Sequence, residues 1–244
     1  MAEDRIYGIN PIREALLAGR DMDKLYVCRR SPAIGQLIGL AKEAGTPVIQ
    51  VEEPRLEQMI GERVNHQGVF GTITSIEYVQ LDQILELARE REEQALVLLL
   101  DGVEDPQNLG AIARSAEALG AHGLIVPKRR SAAVGSAAMR ASSGALNHIA
   151  VARVTNLTQT AEELKKAGLW IVGADMGEQD AYTANLSGPI ALCLGGEGKG
   201  LSKGLLDHCD IKVGIPLLGR MNSLNVAAAG GILLYEILRQ RGLG

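Results

Sequence analysis

Between residues 96 and 215, six short apolar runs recur, with a stretch of different periodicity after each. The runs are Leu96–Leu100, Gly123–Val126, Ile149–Arg153, Trp170–Ala174, Ile190–Leu194 and Lys212–Ile215. Strands this apolar leave neither face for water, so they imply a parallel sheet covered by helices on both sides. The spacing predicts those helices over about 107–119, 132–143, 157–167, 202–208 and 222–240. The fold class is therefore α/β. Ligands of such sheets bind beyond the carboxyl ends of the strands. Three loops in those positions are polar or glycine-rich: the ones after Leu100, Leu194 and Ile215.

Upstream, residues 1–76 read as a separate small α/β domain. Helices are expected at Ile12–Ala18, Ile34–Ala44 and Leu56–Ile60, and strands at Lys24–Cys28, Val48–Val51 and Val69–Ile76. Residues 77–95 are acidic and helix-prone and read as a linker or connecting helix, with the second domain spanning 96–244. A chain of 244 residues accommodates two modest domains.

Composition narrows the setting. Apolar residues make up 46% and charged residues 22%, an ordinary globular balance. The start, Met1-Ala2-Glu3-Asp4-Arg5, has no apolar segment of the kind a secretory leader needs, and no run reaches the length of a membrane span. Cys28, Cys193 and Cys209 are odd in number and form no C-x-x-C, which favours plain thiols in a reducing cytoplasm and no metal site. Net charge is −4, yet residues 82–105 alone hold eight acids against Arg89 and Arg91, a balance of −6. The rest therefore sums to +2 (−4 minus −6). Lys128-Arg129-Arg130, with Arg140 beyond, is the densest basic patch; it permits a polyanionic partner and reads equally as a solvated loop.

The first loop runs Asp101-Gly-Val-Glu-Asp-Pro-Gln-Asn-Leu-Gly-Ala-Ile-Ala-Arg. Asp105-Pro106 is a helix start, with proline at the first helical position. Asn108 at the helix mouth reads as a cap or a site residue, and Arg114 as a solvated charge or a ligand contact. The second loop, Gly195-Gly196-Glu197-Gly198-Lys199-Gly200-Leu201, lets backbone amides approach a ligand closely. It lacks the Lys-Ser/Thr of a P-loop and the G-x-G-x-x-G spacing. Glu197 would repel a pyrophosphate and suit a ligand carrying positive charge. The third is Ile215-Pro-Leu-Leu-Gly-Arg-Met-Asn-Ser-Leu-Asn-Val226, followed by a helix whose first turns are Ala and Gly. Without a polar face, that helix is built for close packing rather than for the surface.

Asn108…Gly110…Arg114, Gly195–Leu201 and Ile215–Val226 resemble motifs one, two and three of the SpoU/TrmH methyltransferases. Members transfer a methyl group from S-adenosylmethionine to ribose 2′-hydroxyls of RNA. Ile6–Leu16 and His66-Gln67-Gly68-Val69 resemble the RNA-binding leader domain of the RlmB branch, an L30e-like fold. That branch modifies a guanosine of 23S ribosomal RNA; transfer RNA is the alternative substrate within the family. The resemblance implies a C-terminal α/β knot, a trefoil that general topology rules would not suggest, and a homodimer with its active sites at the interface. It implies that Gly195, Gly196, Gly200, Ile215, Leu217, Ser223 and Leu224 hold the cofactor. It places Asn108, Glu197, Ser223 and Asn225 in the active site and gives Arg114 the key catalytic role. Arg220-Met221-Asn222 departs from the small or polar residues of many relatives and is a candidate RNA contact.

A guanidinium is a poor general base. Arg114 is therefore expected to clamp a substrate phosphate and stabilise the developing alkoxide while a phosphate oxygen or water takes the proton. His66, His122, His148 and His208 lie outside the three motifs and read as structural.

Overall fold

The computed structural model describes residues 5–20, 22–73 and 76–242, the side chains of residues 177 and 178 excepted. The chain divides into two compact units, one over 1–77 with 133–136, the other over 78–132 and 137–244.

The first unit is a four-stranded sheet with helices. Its elements are β1 (Arg5–Tyr7), α1 (Ile9–Leu17), β2 (Met22–Val27), α2 (Pro32–Glu43), β3 (Val48–Gln50), α3 (Glu53–Ile60) and β4 (Val69–Ile73). The strand order is β1-β4-β2-β3, with β4 antiparallel to both neighbours and β2 parallel to β3. Ser31 caps α2, its Oγ accepting from Ile34 N, and Pro32 follows at the first helical position. Ile12, Leu25, Ile34, Leu37 and Val69 form the core, and Tyr26 stacks on Phe70 at 5.7 Å. The short β1 carries no alternation that would mark it in sequence. Thr74 and Ser75, expected within the last strand, lie outside the described residues, as do Met1–Asp4.

His66-Gln67-Gly68 is a structural clasp within this unit. Gln67, at φ +53°, offers Oε1 to Ile9 N at 2.8 Å and so caps α1. His66 Nδ1 accepts from Gly68 N at 3.1 Å. His66 also lies beside Glu53 and Glu57, with one ligand atom from each residue within 4.8 Å of the others. Two of the three are already engaged, since Arg29 pairs with Glu53 and Gly68 N with His66.

The second unit contains α4 (Leu81–Glu90), β5 (Leu96–Asp101), α5 (Pro106–Ala118), β6 (Gly123–Pro127), α6 (Ser136–Ala141), a 3₁₀ turn (Ala145–Asn147), β7 (Ala150–Val154), α7 (Leu157–Lys166), β8 (Trp170–Asp180), β9 (Ile190–Gly195), α8 (Lys203–Leu206), β10 (Ile211–Gly214) and α9 (Val226–Gln240). Its six strands run parallel in the order β10-β8-β9-β5-β6-β7. The two most apolar runs, β5 and β9, lie at the centre, where Leu96–Leu100 and Ile190–Leu194 are buried throughout. After β5 the chain builds outward to β6 and β7, then crosses to build β8, β9 and β10 on the other side. The switch point, where such sheets bind ligands, therefore falls at β5 and β9. Within the acidic connecting segment, α4 buries Ile84 and Ala88, and Ile84 belongs to the core of this unit.

Three helices fall well short of their predicted spans; the one expected over 202–208 is α8 alone, Lys203–Leu206. The expected helix over 132–143 is α6 followed by a 3₁₀ turn, because Ser143 (φ +51°) and Gly144 (φ +90°) adopt left-handed backbone. The expected helix over 222–240 begins only at Val226, because Asn225 is its cap, with Oδ1 accepting from Ala227 N and Ala228 N. Conversely, β8 extends to Asp180. Its ladder with β10 passes from Gly173 directly to Gln179, so residues 174–178 stand outside it.

Arg241, just past α9, closes the amino-terminal end of the sheet. Its Nη1 donates to Gln94 O, and its Nη2 to Ala95 O and Gly188 O, at 2.7–3.0 Å. Arg241→Ala is expected to destabilise by about 3 kcal/mol, since it removes three charge-assisted bonds, although Ala95 O keeps its bond from Ile190 N. Scanning calorimetry should find the second unit melting about 6–12 °C lower; an unchanged midpoint would show that the three bonds contribute nothing.

Nearby, buried His122 accepts from Leu96 N at its Nδ1, and its Nε2 lies 3.1 Å from Glu93 Oε2. Burial lowers its pKa, against the opposing pull of Glu93. The folded state therefore resists protonation that the unfolded chain accepts below its ordinary value of 6.5. The contribution is present above that pH and is lost as pH falls below it. His122→Gln should flatten the melting temperature against pH below about 6.5, and an unaltered slope would count against this account.

Candidate active site

A cavity of about 710 Å³ opens at the carboxyl ends of β8, β9 and β10. That lies within the size range of small-molecule and cofactor sites. Its floor is apolar, from Leu194, Val213, Leu233 and Ala229, and its rim is polar. Of the expected cofactor contacts, Gly195, Gly196, Gly200, Ile215, Leu217, Ser223 and Leu224 all line it, together with Glu197 and Asn225.

The glycines are there for packing as well as for access. A Cβ on Gly195 would lie 2.1 Å from the Gly200 carbonyl carbon, and one on Gly196 would lie 2.0 Å from Gly102 O. Backbone from the loops after β5 and β9 thus meets at van der Waals contact, a closeness only glycine allows. Gly196 N donates to Asp101 O at 2.7 Å, and Asp101 Oδ2 accepts from Ser202 N at 2.7 Å, holding the two ends of the second loop to β5.

At the mouth of α9 the three sequence blocks converge through side chains. Asn225 Nδ2 donates to Asn108 Oδ1 at 2.8 Å and to Glu197 Oε1 at 2.9 Å. Asn108 Nδ2 donates to the same Glu197 oxygen at 3.1 Å. Asn225 spends its amide oxygen on the cap of α9 and its amide nitrogen on the other two residues, so its orientation is fixed. Asn108 is buried and does not cap α5; Asp105 does, accepting from Gln107 N. The arrangement presents one carboxylate beside a largely apolar cavity, with both neighbouring amides committed to holding it.

Other expected site residues lie elsewhere. Asn108 and Arg114 are not among the residues lining the cavity. Arg114 is exposed on α5 and donates to Ser143 Oγ at 3.2 Å. Lys128, half-buried, and Arg129 and Arg130, exposed, follow the carboxyl end of β6; Arg140 is exposed on α6, and Arg220 on the loop before α9. Asp175 and Met176, which the sequence reading missed, line the cavity because the part of β8 outside its ladder carries them there. Nothing in the local pattern marks that detour, since Trp170–Ala174 already reads as a complete strand.

Residues 95–235 match the profile of the SpoU rRNA methylase family, and residues 5–79 match that of the RNA 2′-O ribose methyltransferase substrate-binding domain. The chain belongs to the SpoU methylase family. YacO of Bacillus subtilis, which carries the name of a TrmH family tRNA/rRNA methyltransferase, is 40% identical over 98% of this chain and 96% of its own. Among solved structures, the SpoU methyltransferase AviRb of Streptomyces viridochromogenes, in complex with AdoMet, is 31% identical with a TM-score of 0.62. It covers 98% of this chain and 91% of that one. An AdoMet-bound rRNA methyltransferase of Sinorhizobium meliloti is 28% identical, covers 96% of this chain and 86% of that one, and has a TM-score of 0.58. The SpoU relationship accounts for the α/β architecture with its parallel sheet and for the substrate-binding domain before it. No helix among the described residues is long and apolar enough to cross a membrane.

Proposed function

We propose that the chain methylates a ribose 2′-hydroxyl, on a guanosine of 23S ribosomal RNA, with S-adenosylmethionine as donor. The observation that carries the reading is the Glu197–Asn108–Asn225 cluster beside the cavity in a SpoU-family chain. The donor set fits that cofactor. The apolar floor of Leu194, Val213 and Leu233 suits a flat base, and the carboxylates of Asp175 and Glu197 suit a cation. The cofactor supplies an already activated methyl group when bound, so the protein's task is alignment and proton removal. Ser223 and Asn225 border the cavity where α9 begins. Arg114 binds a substrate phosphate and stabilises the developing alkoxide; a phosphate oxygen or water accepts the proton. The basic groups Lys128, Arg129, Arg130, Arg140 and Arg220 hold the RNA backbone. Ribosomal rather than transfer RNA is favoured because the Sinorhizobium rRNA enzyme spans nearly the whole chain, including its substrate-binding domain.

The remaining expectations belong to the same proposal: a domain boundary near 76, an L30e-like first domain, a trefoil knot in the second, a cytoplasmic location and a homodimer. The dimer is supported by Ile232 and Tyr235, exposed on α9, and by Arg114, which a second copy would bring to a site that one chain leaves without it. Sedimentation at micromolar concentration that gave only monomers would oppose it.

Mapping 2′-O-methyl groups on ribosomal and transfer RNA, in a deletion strain with and without the gene restored, tests the substrate. A site restored on transfer RNA alone would transfer the proposal to the other family substrate. Calorimetry with S-adenosylmethionine and NAD tests the cofactor, and binding of NAD alone would overturn the reading. Arg114→Lys keeps the charge and loses the fork. Turnover should fall about tenfold, equivalent to about 1.4 kcal/mol, with cofactor affinity unchanged. Near-wild-type turnover would rule out the clamp.

A further inference from the structure

Two of the three cysteines meet beneath the glycine loop, in a part of the core that the methylation chemistry does not use. Cys193 lies on β9, two residues before Gly195, and its register partner across the sheet is Gly173 of β8. Registered neighbours project to the same face of a sheet. The place a Gly173 side chain would take is filled by Cys209. A Cβ built on Gly173 would lie 2.6 Å from Cys209 Sγ and 3.4 Å from Cys209 Cβ. Cys193 and Cys209 pack in the same apolar cluster. Facing positions on neighbouring strands lie about 4.8 Å apart, and a disulfide needs its Cβ atoms about 3.5–4.5 Å apart. The Cys209 side chain, seated over Gly173, is therefore the neighbour of Cys193 on the same face of the sheet, and a disulfide requires the two to close to that spacing.

We propose that Cys209 and Cys193 form a peroxide-reactive modification site, in which Cys209 is the attacking sulfur and Cys193 the resolving one. The two differ in the way such roles require. Cys193 is fully buried, whereas Cys209 is partly exposed where α8 leads into β10. Hydrogen bonding with Cys193 holds the Cys209 thiol below its ordinary pKa, against the effect of burial; Lys212 and Lys165 add to the lowering and Asp210 opposes it. The same hydrogen bond and its burial hold Cys193 well above. A lowered thiol pKa, neighbouring lysines and partial access are the marks of a reactive cysteine.

The chemistry balances with hydrogen peroxide as oxidant. The Cys209 thiolate attacks one peroxide oxygen; the S–O bond forms, the O–O bond breaks, and hydroxide leaves. Cys209 becomes a sulfenic acid, oxidised by two electrons, and the peroxide is reduced by two. Cys193 sulfur then attacks the sulfenic sulfur. The S–S bond forms, the S–O bond breaks, and the departing hydroxide takes the Cys193 proton as water. Overall, two thiols and one peroxide give one disulfide and two waters.

The test uses the full chain with Cys28→Ser, so that only the pair remains. After equimolar hydrogen peroxide, the non-reducing peptide map should show the Cys193 and Cys209 peptides joined, with both thiols lost and both regained on dithiothreitol treatment. With Cys193→Ala added, dimedone should trap Cys209 as its sulfenic acid; with Cys209→Ser instead, Cys193 should stay unreactive. Circular dichroism and the melting temperature show that each variant is folded, and Cys193→Ser replaces the alanine variant if that one is not. The proposal is overturned if the folded parent forms no cross-link, if Cys193 reacts without Cys209, or if Cys209 accumulates sulfinic acid with Cys193 present.

Discussion

Asn225→Ala should lower kcat/KM for RNA methylation about a hundredfold, about 2.7 kcal/mol by transition-state arithmetic. Three losses coincide in one side chain. The cap of α9 disappears, at a cost of about 1 kcal/mol. Asn108 Oδ1 loses its donor while buried. Glu197 Oε1 loses one of the two N–H bonds that aim it. Asn225→Asp separates these losses. Its carboxylate keeps the cap on Ala227 N and Ala228 N but places a second carboxylate against Glu197 at hydrogen-bond distance. Two carboxylates that close share a proton, and one pKa rises strongly. The aspartate variant should therefore melt below the parent at neutral pH and approach it as pH is lowered, bind the cofactor poorly, and recover part of its affinity over the same range. Calorimetric titration across pH reads this directly. If Asn225→Asp bound S-adenosylmethionine as tightly as the parent at every pH, the cluster would have no part in binding.

The second large effect comes from a single methyl group. Gly196→Ala puts a Cβ 2.0 Å from Gly102 O, against backbone that cannot rotate away. The loops after β5 and β9 must separate, and forced repacking of this kind costs about 1–3 kcal/mol. The loop after β9 borders the cavity, so the cost should appear as cofactor affinity at least about tenfold weaker. Gly198→Ala is the matched control in the same loop. It meets no atom within 4 Å, although its φ of +79° makes an alanine strained by about 1 kcal/mol. Equal effects of the two substitutions on S-adenosylmethionine affinity would mean that loop strain, not the approach to Gly102, governs the site.

These residues also show where the sequence was readable. The six apolar runs reported the parallel sheet because a strand buried on both faces has no freedom to be polar. The glycine loop was visible for a related reason: contact between two backbones admits one residue type. Pro106 after Asp105 marked the start of α5 within one residue. The joining of Asn108, Glu197 and Asn225 was not legible from any one block, because it depends on side chains far apart in the chain meeting at the mouth of α9. Asp175 and Met176 escaped notice because their placement follows from a break in the β8–β10 ladder, a tertiary event without local spacing. Arg241 escaped because a lone arginine after a helix looks solvated, and only the sheet's exposed carbonyls reveal its use. The sequence pattern starts α9 too early because Asn222–Asn225 are as compatible with a first helical turn as with the loop and cap they form.

The centre of the parallel sheet carries a kinetic consequence. Leu96 lies beside Ile190, and β5 meets β9 along its whole length. Between those partners in sequence lie β6, β7 and β8, so the most buried ladder is also among the most distant to assemble. Closing a long loop before any reward arrives slows folding far more than it lowers stability. Refolding of the second unit from denaturant should therefore be slower than that of a helical bundle of equal length. During that interval β5 and β9 would expose apolar edges able to pair with another chain. The yield of refolded protein should accordingly fall with protein concentration.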